Sequence, residues 1–256
     1  MTAVRSLSVA RGVAQRGVRK LKKTPPLLVA PMIVPLFFFA AFAGALSAMG
    51  KSKSFGYYNF TAFVFVFVLY MASMLVGVFT AFDIASDFET GMGRRLMLAA
   101  PRRMAIVGGY LMVAFGRAVI ANVVVWGVAL AVGMPVRGSA LQIAAIVALA
   151  LLLNLAATLY GAGIALRFQS ASAGTLVLIP IYMALFITPV FTTRDGLTDW
   201  LKAVAGVNPL TAPIEAGRGL LADDPVSVAL AFGAAVGLVA VLFVWAVLGM
   251  RKAGKG

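Results

Sequence analysis

The sequence predicts an all-α membrane protein with six transmembrane helices, an amphipathic interfacial helix ahead of them, and short helices in two of the connections. Three observations carry this. Of 256 residues, 62% are hydrophobic and 12% charged, with a mean hydropathy of +1.01; a soluble domain is nearer half apolar and a quarter charged. Six apolar stretches are long enough, at about 1.5 Å per residue, to cross a hydrocarbon layer roughly 30 Å thick. The Lys and Arg residues fall mostly on one side of the spans so defined. Helices follow because lipid offers no partner to a bare backbone amide. A membrane barrel needs short alternating segments, which are missing. Phe63, Phe65 and Phe67 do alternate with Val, but within the long apolar run 60–82, and its length decides for helix.

Residues 1–23 read as an interfacial helix. At about 100° per residue, Leu7, Ala10, Ala14, Val18 and Leu21 cluster opposite Arg5, Arg16, Arg19, Lys20 and Lys23, with Arg11 and Lys22 interrupting the pattern. Such a helix lies in the headgroup plane of an anionic inner leaflet. Thr24-Pro25-Pro26 ends it. The spans follow at 27–46, 60–82, 104–132, 140–166, 173–192 and 226–249. The first is too long for the apolar core of a cleaved signal peptide and is expected to stay. Tyr57, Tyr58 and Phe60 sit where an aromatic belt is expected. Arg117 lies inside the third stretch, which exceeds one crossing, so it is expected to snorkel toward the interface rather than face the bundle interior.

Orientation comes from charge. Fifteen Lys and Arg lie in the first tail, the loop after span two, the end of span four and the C-terminal tail. Six lie on the other side: Lys51, Lys53, Arg137, Arg194, Lys202 and Arg218. That bias places both termini in the cytoplasm, as an even span count also requires. The net charge of +14 is then a membrane-facing cytoplasmic surface and not a nucleic-acid footprint.

The chain has no His and no Cys, which removes most zinc and haem ligation, disulfides and His-based triads. Its acids lie at or outside the span ends, against an ion-coupled secondary transporter, and no carboxylates pair within a span for acid–base chemistry. The stretch from Ala45 to Ser52 nearly matches a phosphate loop, but it lacks the first glycine and a preceding strand. No catalytic, cofactor or metal site is expected.

Two connections are not plain. The cytoplasmic loop 83–103 places Asp83, Asp87 and Glu89 before Arg94, Arg95, Arg102 and Arg103. That order suits a short helix with acids at its positive end and bases at its negative end. Phe88, Met92, Leu96 and Met97 would bury against another protein. The external segment 193–225 holds two apolar stretches, 197–207 and 210–221, split by Asn208-Pro209, and is expected to form two short helices against the outer leaflet, Asn208 capping the second. Within the spans, Phe37, Phe38, Phe63, Phe67, Asn122 and Asn154 are candidates to line a pathway, with lipid contact and interhelical hydrogen bonding as the plainer roles.

Asp87-x-Glu89-x-Gly91, then Arg95-Leu96 and Pro101, entering the third span, resembles the loop of type-2 ABC exporter transmembrane subunits. Asn208-Pro209-Leu-Thr followed by Arg218-Gly-Leu-Leu is similar to that family's segment before its last span. The resemblance covers essentially the whole chain and is nearest the daunorubicin-resistance-like drug and lipid exporters, with Met92 where such subunits often have Thr. It implies a second transmembrane subunit, identical or related, and two ATP-binding subunits that carry ATP and Mg. It also implies a coupling helix in which Asp87, Phe88, Glu89, Gly91, Met92, Arg94, Arg95 and Leu96 contact the ATPase. Asn208, Pro209 and Arg218 form the external motif. The implied cargo is an amphiphilic drug or lipid, with lipid-linked polysaccharide as the alternative, crossing a bacterial cytoplasmic membrane.

Overall fold

The computed structural model describes residues 2–45, 56–100, 103–170, 172 and 174–253. The end of the first predicted span at Leu46, residues 46–52 of the phosphate-loop look-alike, and Lys51, Lys53, Pro101, Arg102 and Lys255 lie outside them. The described residues form ten α-helices and no strand: α1 (Thr2–Lys23), α2 (Pro26–Ala45), α3 (Phe60–Glu89), α4 (Met92–Ala99), α5 (Met104–Ala131), α6 (Ala140–Phe168), α7 (Gly174–Phe186), α8 (Asp199–Val207), α9 (Thr211–Ala222) and α10 (Val228–Ala253). Five of them, α2, α3, α5, α6 and α10, are long and apolar enough to cross a membrane.

The centre of the bundle is α3. It is apolar on every side, and a helix of that kind belongs inside other helices. It packs against α2, α5, α6, α7 and α9, and Phe63, Phe65, Phe67 and Tyr70 are fully enclosed. Small residues permit the close seams. A Cβ on Gly77 would lie 2.6 Å from the Asn154 carbonyl of α6. Gly163 and Gly249 let α6 and α10 come close: a Cβ on Gly249 would lie 2.9 Å from the Gly163 carbonyl, and one on Gly163 would strike the Trp245 ring. The Arg167 guanidinium lies 3.6 Å from the Trp245 ring and donates to its carbonyl at 3.0 Å. Gly233 and Gly237, the spaced glycine pair of α10, face open space.

The fifth predicted span, 173–192, departs from expectation. Helix α7 has 13 residues, about 20 Å, short of a crossing on its own. With the non-helical residues after it, the chain still runs from Ser170 beside Glu89 to Pro189 and Val190 beside Phe63, at the other end of α3. Pro189 is the reason the helix stops early. It has no N–H to continue the ladder, and it biases Thr188 away from helix. The Thr188 hydroxyl instead donates to the Leu185 carbonyl at 2.6 Å, closing the helix end. A non-helical turn then leads to a short 3-10 segment (Arg194–Gly196) and to α8 and α9.

Helix α3 also runs further than expected, to Glu89. Asp83, Asp87 and Glu89 therefore end a long helix and do not begin a short one. Acids at a helix C-terminus meet the unfavourable end of its dipole, so they need partners. Two ends of the bundle can be named from this: the basal end, with α1, α4 and the close of α3, and the distal end, with α8 and α9.

Candidate functional site

At the basal end, α3 and α5 are joined by a helical hairpin. Thr90 caps α3, its hydroxyl donating to the Ser86 carbonyl at 2.9 Å. Gly91 takes φ +74, a left-handed conformation that favours glycine. Helix α4 then folds back so that Gly93 lies under the Phe88 ring, where a Cβ would come within 2.7 Å of it. The sequence reading had Phe88 facing a partner, but this contact turns it inward. Asp87 is also buried. Exposed on the hairpin are Glu89, Arg94, Arg95 and Leu98, with Met92 and Leu96 half-buried. Leu98 is 90% exposed. Ser170, just after α6, donates to Glu89 Oε1 at 3.0 Å.

Behind the hairpin lies a charged cluster. Arg16 of α1 grips both oxygens of Asp87, with Nη1 at 2.6 Å from Oδ2, and the Tyr110 hydroxyl of α5 donates to the same carboxylate. One helical turn earlier, Asp83 receives Lys20 Nζ at 2.7 Å and Arg117 Nη2 at 2.7 Å. The hydrogen bond to Asp87 raises the Arg16 guanidinium above its ordinary value. Two carboxylates thus bind α1, α3 and α5 into one unit. Arg117 is 3% exposed and faces the interior, so the expected snorkelling does not occur. The cause is Asp83, which supplies the counter-charge that makes burial tolerable.

The placement of α1 explains why its apolar face looked interrupted. Ala10, Val13 and Gly17 pack on Gly109 and Val113 of α5, while Leu7 and Val18 point away and stay exposed. The residues grouped as one apolar stripe serve two surfaces. The signal for the ion pairs was present too. Arg16 and Lys20 lie four apart on α1, as do Asp83 and Asp87 on α3, and such residues share a helix face.

At the distal end, Asn208, Pro209 and Arg218 have structural partners. Asn208 donates to the Ala184 carbonyl of α7 at 2.6 Å and accepts from Leu210 N at 3.0 Å. Pro209 makes the turn between α8 and α9, and α9 begins at Thr211, not at Pro209. Arg218 is buried in α9 and donates to the carbonyls of Phe63 (3.0 Å), Pro189 (2.6 Å) and Val190 (3.1 Å), its guanidinium 3.4 Å from the Phe63 ring centre. Burial lowers its pKa to about 9, against the upward pull of Tyr57 and Glu215. Thr188, Pro189 and Val190 are buried, and non-helical backbone at such depth must find partners within the protein. Arg218 is the partner of the Pro189 and Val190 carbonyls, and Asn208 takes the Ala184 carbonyl in the last turn of α7.

Residues 10–222 match the profile of the family described as ABC-2 type transporter. The chain belongs to that family. It is the transmembrane subunit of an ABC transporter, a multi-pass membrane protein that associates with ATP-binding subunits and is not itself the ATPase. Among curated proteins none matches the chain.

In this ABC-2 subunit, the six residues singled out for a pathway have distinct placements. Phe63 and Phe67 are fully enclosed, Phe67 against Phe186. Asn122 donates to Ser73 Oγ at 2.9 Å, and Asn154 donates to the Ser73 carbonyl at 2.8 Å; both join helices within the bundle. Phe38 is half-buried and stacks on Phe42. Phe37 alone of the six is widely exposed.

Proposed function

We propose that this subunit exports an amphiphile across a bacterial cytoplasmic membrane, with both termini in the cytoplasm and the basal hairpin receiving force from the ATPase. One observation carries the reading. A short helix with two exposed arginines and an exposed leucine caps a hairpin whose root is tied by ion pairs to α1 and α5. An exposed Leu beside Arg94 and Arg95 is the composition of a docking surface, because an isolated apolar side chain at a charged tip gains by burial against a partner. The tether through Asp83 and Asp87 means that a push on α4 is felt by three helices together. In this reading Glu89, Arg94, Arg95 and Leu98 meet the ATPase, Gly91 and Met92 shape the hairpin, Leu96 packs it, and Asp87 and Phe88 hold its root. ATP and Mg reside on two partner subunits, and a second transmembrane subunit, identical or related, completes the membrane unit.

The cargo reading rests on apolar surface. Val29, Ile33 and Phe37 of α2 are exposed along one helix, which suits a drug or lipid better than a polysaccharide. The tests address coupling and topology. The ATPase should copurify, and Glu89→Lys and Leu98→Glu should preserve insertion while uncoupling ATP hydrolysis from transport in vesicles. Unchanged transport in both variants refutes the docking role. In this Cys-free chain, Lys202→Cys should react with an impermeant thiol reagent from outside and Arg94→Cys should not; the opposite result inverts the orientation.

A further inference from the structure

The distal end carries a cavity of about 590 Å³ between the start of α3, the α5–α6 connection, the 3-10 segment and α9. Its walls combine three guanidinium groups, from Arg137, Arg194 and Arg218, with two carboxylates, from Glu215 and Asp224. The guanidiniums are not equally occupied. Arg218 is committed to backbone carbonyls, as described above. Arg194 is ion-paired with Glu215, its Nε 3.7 Å from Oε1; that nitrogen is buried and makes no hydrogen bond, while 40% of the side chain is exposed. Arg137 is exposed, lies 4.3 Å from the Tyr58 ring centre, and forms no ion pair with any carboxylate among the described residues. Arg137 and the exposed end of Arg194 therefore have donors to give, and both residues line the cavity.

The geometry is built and not accidental. Tyr58 holds its ring under Arg137 because its hydroxyl donates to the Pro135 carbonyl at 2.9 Å. Tyr57 donates to the Arg218 carbonyl at 2.8 Å. The α5–α6 connection is fixed in turn, since the amides of Arg137 and Gly138 both donate to the Leu221 carbonyl. Phe63 and Pro189 back the cavity but are themselves buried; the accessible apolar surface is Val226 on its wall and Leu230 beside it at the start of α10. A planar guanidinium presents its donors in a fork that matches phosphate oxygens. Cationic walls beside an apolar surface suit a ligand with a charged head and a tail.

We propose that this cavity is a binding site for the phosphate headgroup of an anionic amphiphile, with Arg137 and Arg194 as the phosphate ligands and Val226 and Leu230 against the first part of the tail. It depends on the export reading only for the statement that the distal end faces the outer leaflet. If that reading holds, the site narrows the cargo, or a lipid that regulates its release, to the anionic phosphate-bearing class.

The test uses the purified full chain with a fluorophore on Thr193→Cys, an exposed residue on the cavity wall, titrated with dihexanoyl phosphatidylglycerol, dihexanoyl phosphatidylcholine and inorganic phosphate. Phosphatidylglycerol should give a saturable change at a concentration at least ten-fold below either comparator. Arg137→Gln with Arg194→Gln, both at partly exposed positions that should fold normally, should raise that concentration at least ten-fold. Equal response to the two lipids, or no effect of the paired substitutions, overturns the site. Saturation by inorganic phosphate at the same concentration overturns the headgroup-with-tail assignment and leaves a free-anion site. Because neither ATP nor the ATPase is present, a negative result leaves the export reading standing. Failure of vesicle transport with binding intact counts against export instead.

Discussion

Removing Asp83 should harm the protein far more than removing its partner Arg117. Arg117 is 3% exposed, and its side chain has one hydrogen-bond acceptor among the described residues, Asp83 at 2.7 Å; its Nε has no partner even in the native state. Asp83→Leu leaves a charged guanidinium buried with nothing to receive it, which costs about 3–5 kcal/mol. Arg117→Met leaves Asp83, whose side chain is 16% exposed, still paired with Lys20 at 2.7 Å. That loss is about 1.5–3 kcal/mol, the worth of one charge-assisted hydrogen bond. The double variant replaces a buried ion pair with apolar groups and frees Lys20, which is partly exposed, to water. It should fall within about 1–2 kcal/mol of the native protein. The double variant is thus more stable than Asp83→Leu alone, a coupling well above the few tenths expected of independent sites. Reversible unfolding in mixed micelles, driven by dodecyl sulfate and followed by tryptophan fluorescence, measures all three. Equal losses for the two single variants, or additive losses in the double, would refute the argument that Asp83 is there to make Arg117 tolerable.

Other expectations can be checked with the same preparations. Gly91→Val forces a β-branched residue into φ +74, at a cost of at least ~1–2 kcal/mol; the chain should still insert, while transport per ATP falls, and unchanged coupling argues against a fixed hairpin. Arg218→Met strips three carbonyls of their donor and should lower stability by about 2–4 kcal/mol, more than Asn208→Ala at about 1–2 kcal/mol; the reverse ranking in thermal unfolding would show that Asn208, and not Arg218, anchors the turn. Gly77→Leu places side-chain atoms where the Asn154 carbonyl sits and should cost at least ~1–3 kcal/mol by overpacking, visible as loss of a monodisperse peak in detergent. Normal behaviour of that variant would mean that α3 and α6 are not in close contact.

How far the fold was legible depends on what each residue had to satisfy. Length and hydropathy suffice for α2, α3, α5, α6 and α10, since crossing lipid imposes one requirement and these stretches meet it. They fail at α7, where composition stays apolar to the end but Pro189 breaks the backbone; hydropathy does not register a missing N–H. Phe63 and Phe67 show a related ambiguity. In a membrane protein an aromatic on a span can face lipid, pathway or core with the same composition, and only the neighbours decide. The neighbours of α3 are on all sides. Arg117 was misread because a single Arg in an apolar run was weighed on its own, whereas its stability comes from a carboxylate 34 positions away.

The basal charges show what a sequence can still yield when pairs are considered in place of single residues. Asp83 and Asp87 belong to the least favourable turns of α3, where the helix dipole opposes them. A helix that ends on two acids at the same face demands cations from elsewhere. The chain supplies Arg16 and Lys20 at the matching interval on α1. The interfacial helix is therefore not only a lipid anchor, because two of its seven basic residues are spent on the root of the hairpin. That division has a mechanical consequence. Buried or half-buried ion pairs are screened less by salt than exposed ones, so α1 should stay with α3 and α5 under conditions that weaken its hold on anionic headgroups. Under the proposed docking role, force applied at α4 would reach the membrane through three helices together, with the ion pairs holding α1 to α3 and α5.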